Sequence, residues 1–191
     1  MRQYSPLTLA RLEPGARVAE PMTPGRVTFD DPAFSVMTDL REVSAASTRP
    51  EETLDAAHAQ MIRRAVRLLF VLDAQGIVNG VITATDLLGE KPVRFMQSRG
   101  VSHAEILVED IMTPASMLDA LPLLEVAQMR VGHVVATMKS VERKHLMVAE
   151  DGGRRIRGIF SASQIARQLG VELQTFEVAR TFADIEAALV R

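Results

Sequence analysis

The chain has 191 residues, 47% of them hydrophobic, enough to bury a core as one full-sized domain or as two small ones sharing it. Its 22 basic and 24 acidic residues leave a formal net charge of −2, which gives no bulk attraction for nucleic-acid backbones or anionic lipid, and 4% aromatic content offers few platforms for stacking bases. The absence of cysteine excludes disulfides and thiolate metal sites and fits a reducing compartment, so a cytoplasmic location is expected.

Residues 1–35 read as an N-terminal arm without the apolar stretch of a signal peptide, and no run elsewhere approaches the ~18 apolar residues of a membrane span. Val36-Met37-Thr38-Asp39 follows, then a strand-like stretch from Glu42 to Ser47 that ends at the breaker Arg49-Pro50. Thr53 to Arg64 carries Leu54, Ala57, Met61 and Ile62 at the spacing of one helical face, with Glu51 and Glu52 favourably placed at its N-terminus. Leu68 to Leu72 is a continuous apolar run closed by Asp73-Ala74-Gln75-Gly76, and Ile77 to Thr83 is rich in β-branched residues, so the two predict a buried hairpin. A short helix starts near Thr85, its expected N-cap.

The same order then returns. Ile111-Met112-Thr113-Pro114 repeats the Met-Thr segment at an offset of 75, and Gly158 to Gln164 repeats Gly80 to Asp86 at an offset of 78. Between them come Met117-Leu118, a long helical stretch from about Leu123 to Met138, a strand from His145 to Ala149, the turn Asp151-Gly152-Gly153, a strand from Ile156 to Phe160 and a helix through Ile165 and Leu169. Strand, helix, strand, strand, helix therefore occurs twice. Units of about sixty residues cannot each bury a sheet face alone, so they should pack sheet to sheet with pseudo-twofold symmetry and two clefts. In the last segment, 171–191, Phe176, Ala179, Phe182, Ile185 and Leu189 share one helical face that needs a partner surface. The stripe Met129, Val131, Val134, Val135 and Met138 reads as packing or a subunit face.

The duplicated pattern, with Gly-Val-Ile-Thr-x-x-Asp-Leu at Gly80 to Leu87, resembles the CBS (cystathionine beta-synthase) domain family over roughly residues 36 to 170. Three features coincide: a Met-Thr start, an apolar strand ending in Asp73, and the Gly-apolar-apolar-Thr-x-x-Asp close. The resemblance implies an α+β fold of tandem CBS domains at 36–100 and 101–170, flanked by the arm and the C-terminal helix. It also implies a regulatory Bateman module rather than an enzyme. Its ligand would be AMP, ADP, ATP or S-adenosylmethionine, with no required cofactor, and it would act as a homodimer on a separate protein partner, since neither flank is long enough for an effector domain. No nucleic-acid or membrane partner is expected.

In that family a carboxylate after the last strand holds the ribose hydroxyls, and a Thr or Ser three residues earlier lies beside the phosphate or ribose. Those positions are Asp86 and Thr83 here, and Gln164 and Ser161 in the second half. A carboxylate can accept two hydrogen bonds from a vicinal diol, and the amides opening the following helix can face an anion. Adenine contacts would come from Ala46, Ser47 and Thr48 and from Arg67, Leu68 and Leu69, with His145 and Leu146 in the second half. The chain departs from the family at Gln164, and at Ala84-Thr85 and Ala162-Ser163, where many members carry a basic residue. Arg67, Lys144, Arg154, Arg155 and Arg157 are then the candidates to supply positive charge, and the two clefts should be unequal.

Other chemistries find no footing. His58, His103, His133 and His145 lack metal-ligand spacing, and no Gly-x-Gly-x-x-Gly, phosphate-binding Gly-Lys-Ser/Thr or Gly-x-Ser-x-Gly motif is present.

Overall fold

Two hairpins organise the computed structural model, which describes Gly15 and residues 26–171; the apolar face at 176–189 lies outside the described residues. Leu68–Leu72 (β3) pairs antiparallel with Val78–Thr83 (β4), and His145–Glu150 (β7) with Arg155–Ser161 (β8). Each hairpin gains a parallel neighbour, Ser47–Thr48 (β2) beside β3 and Ala120–Pro122 (β6) beside β7.

The fourth strand of each sheet comes from the other half. Thr38–Asp39 (β1) pairs with β8, and Thr113–Pro114 (β5) pairs with β4, giving the orders β1-β8-β7-β6 and β2-β3-β4-β5. The residues that lead into these strands cross over as well. Ala33 and Val36 are buried with Val134, Phe160 and Ile165 of the second half, whereas Ile106, Val108 and Ile111 are buried with Leu54, Leu69 and Ile82 of the first. The same exchange explains the repeated glycines. The Met-Thr segment of one half lies on the glycine strand of the other, with Thr113 and Pro114 against Gly80 and Met37 against Gly158.

The apolar runs in β3 and β7 follow from burial on both faces. Leu69 and Val71 belong to the core under the helices, while the alternate residues Leu68 and Phe70 join Val81, Met147 and Ile159 in the core where the two sheets meet. Leu146 and Val148 lie in the helix-side core of the second half.

The first helix, Leu54–Arg63 (α1), starts at Thr53, whose hydroxyl accepts from the Ala56 amide at 3.2 Å. Leu54, Ala57 and Met61 are buried, but Ile62, which sequence spacing put on the same face, is 68% exposed. After the short helix Ala84–Leu88 (α2) comes Glu90–Arg99 (α3), closed by Gly100 in the left-handed region (φ 68°), and then Val108–Ile111 (α4).

Three expectations are corrected here. The strand foreseen at Glu42 to Ser47 is confined to β2, because Asp39 turns the chain: its carboxylate accepts from the Arg41 amide at 2.8 Å and its carbonyl from the amides of Glu42 and Val43. Its counterpart forms at β6 rather than at Met117-Leu118, where a 3-10 turn, Ala115–Met117, intervenes. The long helix expected from Leu123 to Met138 is two helices, Leu123–Val126 (α5) and Val131–Ser140 (α6). They are separated where the incoming N-terminal segment bonds to the backbone: the Met129 carbonyl accepts from Ala33, and the Asp31 and Phe29 carbonyls accept from Val131 and Gly132. The final helix is Ala162–Gln168 (α7).

Val131, Val134, Val135 and Met138 are buried inside their own half, with Met129 packed beside them, so this stripe provides no subunit face. No helix of the described residues is long and apolar enough to cross a membrane.

Candidate ligand-binding clefts

Two clefts lie between the halves, each lined by residues of both. The smaller, about 330 Å³, is lined by Arg67, Leu68, Val81, Thr83, Thr85 and Asp86 of the first half and by Thr113, Leu118, residues 142–145, Met147 and Ser163 of the second. The larger, about 710 Å³, collects Thr38, Ser44, Ala45, Ala46, Met61, Ile62 and residues 64–68 of the first half, and Ile159, Ser161, Ser163, Gln164 and Arg167 of the second.

In the smaller cleft the strand-to-helix junction is a closed hydrogen-bonded box. The Asp86 amide donates to Thr83 Oγ1 at 3.2 Å, while the Thr83 amide and hydroxyl donate to Asp86 Oδ2 at 2.8 and 2.7 Å. Thr83, not Thr85, is therefore the N-cap of α2, and Thr85 sits exposed in its first turn. The second carboxylate oxygen, Oδ1, is 2.6 Å from Lys91 Nζ of α3, which also donates to the Ile111 carbonyl at 3.2 Å. An ionised carboxylate has about four lone-pair sites, so Asp86 retains acceptor capacity toward the cleft.

The equivalent junction in the larger cleft is open. Gln164, longer by one methylene, does not return to the cap; its Oε1 accepts from Thr38 Oγ1 at 3.0 Å. Ser161 precedes α7 without a side-chain cap bond and lies 3.1 Å from the Ser163 hydroxyl.

The start of β7 contributes a residue to both clefts. His145, like Arg67 and Leu68, lines each of them. Burial lowers its pKa to about 4, the positive charges of Arg67 and Lys144 push the same way, and Asp86 opposes them. The imidazole is consequently neutral near pH 7.

The structure thus divides the residues that the sequence singled out. Arg67, Leu68 and His145 line both clefts, Thr83 and Asp86 the smaller, and Ala46, Ser161 and Gln164 the larger. Ala46 therefore shares the larger cleft with Gln164 instead of joining Asp86, with its carbonyl accepting from the Phe70 amide of β3. Ser47, Thr48, Leu69 and Leu146 lie outside both linings: the Ser47 carbonyl accepts from the Gln60 side chain, and the other three are buried.

Of the basic candidates, Lys144 lines the smaller cleft, whereas Arg155 and Arg157 pair with Glu150, Asp151 and Asp39 at the sheet edge. Arg143, in the charged sequence stretch Glu142-Arg143-Lys144, also lines the smaller cleft, and Arg64 and Arg167 line the larger one without having been foreseen. The sequence signal for Arg64 was adjacency to the strand that follows α1. Among the described residues no group of His, Cys, Asp and Glu could hold a metal ion.

Two sheet-to-sheet units that exchange edge strands and share paired clefts have the tandem α+β architecture of CBS-domain pairs. Residues 34–92 match the CBS domain family. It is similar to an uncharacterized conserved protein of Pyrococcus horikoshii at 24% identity, covering 78% of this chain and 100% of that one with a TM-score of 0.56. A CBS-domain-containing protein of Agrobacterium tumefaciens follows at 19% identity, with 68% and 88% coverage and a TM-score of 0.52. CBSX2 of Arabidopsis thaliana, solved in complex with AMP, matches at 19% identity with 72% and 94% coverage and a TM-score of 0.52. These likenesses show the fold. No curated protein matches the sequence.

Proposed function

We propose that the protein is a non-catalytic regulatory sensor whose smaller cleft holds an adenosine-type ligand: AMP, ADP, ATP or S-adenosylmethionine. The observation that carries this reading is the placement of the Asp86 carboxylate and Thr83 hydroxyl at the edge of an apolar slot formed by Leu68, Val81, Leu118 and Met147. The carboxylate suits a ribose diol and the slot suits a base. The AMP bound by CBSX2, which shares the fold, supports the same ligand class.

A ligand in this cleft touches both halves, 36–100 and 101–170. It would shift their relative pose by its differential affinity for the two states and so bias a separate partner chain. In this reading the module works in the cytoplasm as a homodimer with closed twofold symmetry. A dimer would have to use apolar residues left exposed, such as Met117 and Leu124, in place of the buried α6 stripe.

Calorimetry with adenosine and 2′-deoxyadenosine tests the site. A charge-assisted hydrogen bond contributes about 1.5–3 kcal/mol, so Asp86→Asn, which keeps a cap acceptor but loses the charge, should weaken adenosine by about tenfold or more. Removal of the 2′-hydroxyl should weaken it in parallel. Adenosine binding that ignores both changes would remove Asp86 from the site.

A second reading, an assembly module with degenerate clefts, is favoured by one observation: both oxygens of Asp86 already have protein partners, the α2 cap and Lys91. Thermal shift separates the two, since a ligand at 100 times its Kd adds about 2.7 kcal/mol to folded stability and a degenerate cleft adds nothing.

A further inference from the structure

Three protein donors already occupy the Asp86 carboxylate. Oδ2 accepts from the Thr83 amide at 2.8 Å and from the Thr83 hydroxyl at 2.7 Å, and Oδ1 lies 2.6 Å from Lys91 Nζ. An ionised carboxylate has about four lone-pair sites, so one is left, whereas a vicinal diol has two hydroxyls to donate. One of the three donors has to leave before both ribose hydroxyls are held. The Thr83 bonds close the cap of α2 at a part-buried strand end, and giving them up would leave polar groups unpaired. Lys91 is different. Its side chain is 49% exposed, and its ammonium, a strongly hydrated charge on a flexible stem, returns to water when it leaves Oδ1.

Lys91 is the second residue of α3 and lines neither cleft, so it reaches Asp86 from outside the cavity. Its ammonium also donates to the Ile111 carbonyl at 3.2 Å, one of those that the last turn of α4 leaves without an intrahelical partner. Two residues further on, Thr113 pairs with Val81 in β5 and lines the smaller cleft. We infer, on the adenosine reading of the smaller cleft, that Lys91 sets its ribose specificity by competing with the diol for Asp86 Oδ1, and that binding of both hydroxyls displaces it. A sugar with one hydroxyl takes the remaining lone pair and leaves Lys91 in place. A ribose releases it, and with it the tie between the binding carboxylate and the segment that enters the exchanged strand.

The test is calorimetry of the full chain with adenosine and 2′-deoxyadenosine, on the wild type and on Lys91→Met. Adenosine is uncharged, so loss of the ammonium acts on it only through Asp86. Lys91→Met should tighten adenosine by about fivefold, the equivalent of one hydrogen bond no longer exchanged, and leave 2′-deoxyadenosine unchanged. A lysine with a structural role alone would move both nucleosides together or neither. Acetylation of the wild-type chain with N-hydroxysuccinimide acetate, read by mass spectrometry, follows the release without any variant. Saturating adenosine should raise the labelling of Lys91 relative to the exposed Lys139, and 2′-deoxyadenosine should not. Adenosine affinity that is unchanged or weaker in Lys91→Met would overturn the assignment, as would Lys91 labelling that adenosine leaves the same. The adenosine reading fails separately, through indifference of adenosine to Asp86→Asn.

Discussion

Gly80→Ala is expected to destabilise the protein by about 2–3 kcal/mol, and Gly80→Val to leave little folded protein. Gly80 pairs with Pro114 where β5, a strand from the other half, lies on β4. A Cβ at this position would overlap the Thr113 carbonyl oxygen, with Met112 Sδ at 3.1 Å and Pro114 Cα at 3.2 Å also in the way. Backbone cannot swing aside as a side chain can, so the only relief is to part β5 from β4, which uncovers Ile111 and Met112 together with the strand.

Gly158 provides the internal control. The three atoms nearest its added Cβ would all belong to the Met37 side chain, Sδ at 2.6 Å, and methionine is unbranched and adapts. Gly158→Ala should therefore cost about 1 kcal/mol or less. Urea unfolding of both variants decides the matter. Equal midpoints for Gly80→Ala and the wild type would show that the exchanged strand contributes nothing to stability.

The second large effect is a loss of stability on mild acidification, assigned to His145. Its folded pKa is about 4 against an ordinary value of 6.5. As pH falls through 6.5 the unfolded chain takes up a proton that the folded chain refuses, so stability drops between about pH 6.5 and about pH 4 and is complete above that window. The loss amounts to about 2 kcal/mol by pH 5 and about 3 kcal/mol in full. The burial of the imidazole between the two clefts causes most of it, with Arg67 and Lys144 adding to it and Asp86 opposing. Leu68 occupies the matching position of β3, opposite Thr83 as His145 is opposite Ser161, so leucine is the natural replacement. His145→Leu should flatten the change in unfolding free energy between pH 7 and pH 5 by about 2 kcal/mol relative to the wild type, while other carboxylates titrate alike in both proteins. Parallel pH profiles for the two proteins would assign the acid sensitivity elsewhere.

Much of the local structure was legible because its cause is local. The β3–β4 and β7–β8 hairpins were marked by apolar runs of strand length separated by turns rich in Asp and Gly, and α1 by the spacing of Leu54, Ala57 and Met61. The helix after the first hairpin was placed within a residue of where it starts, although its cap proved to be Thr83, and the helix expected through Ile165 after the second hairpin is α7. In the site, Thr83 with Asp86 and Ser161 with Gln164 were named through the family resemblance, and each pair lines one cleft.

What failed had long-range causes. Periodicity runs without interruption from Leu123 to Met138, yet the helix breaks between Val126 and Val131, where residues 29–33 of the incoming chain take the backbone hydrogen bonds. Ile62 has the spacing of a core residue and is exposed because α1 turns that side toward the larger cleft. Composition and period thus determined that this protein is a duplicated α+β unit with an apolar core and a Thr-x-x-Asp junction. Only the tertiary structure decided that the halves exchange their edge strands, that Ala46 lines the cleft of Gln164 and not that of Asp86, and that Asp86 and Glu142 share the smaller cleft. The physical reason is that the exchanged strands and the clefts join residues from 32 (Val81 and Thr113) to 126 (Thr38 and Gln164) positions apart, through contacts that each residue's own neighbours do not specify.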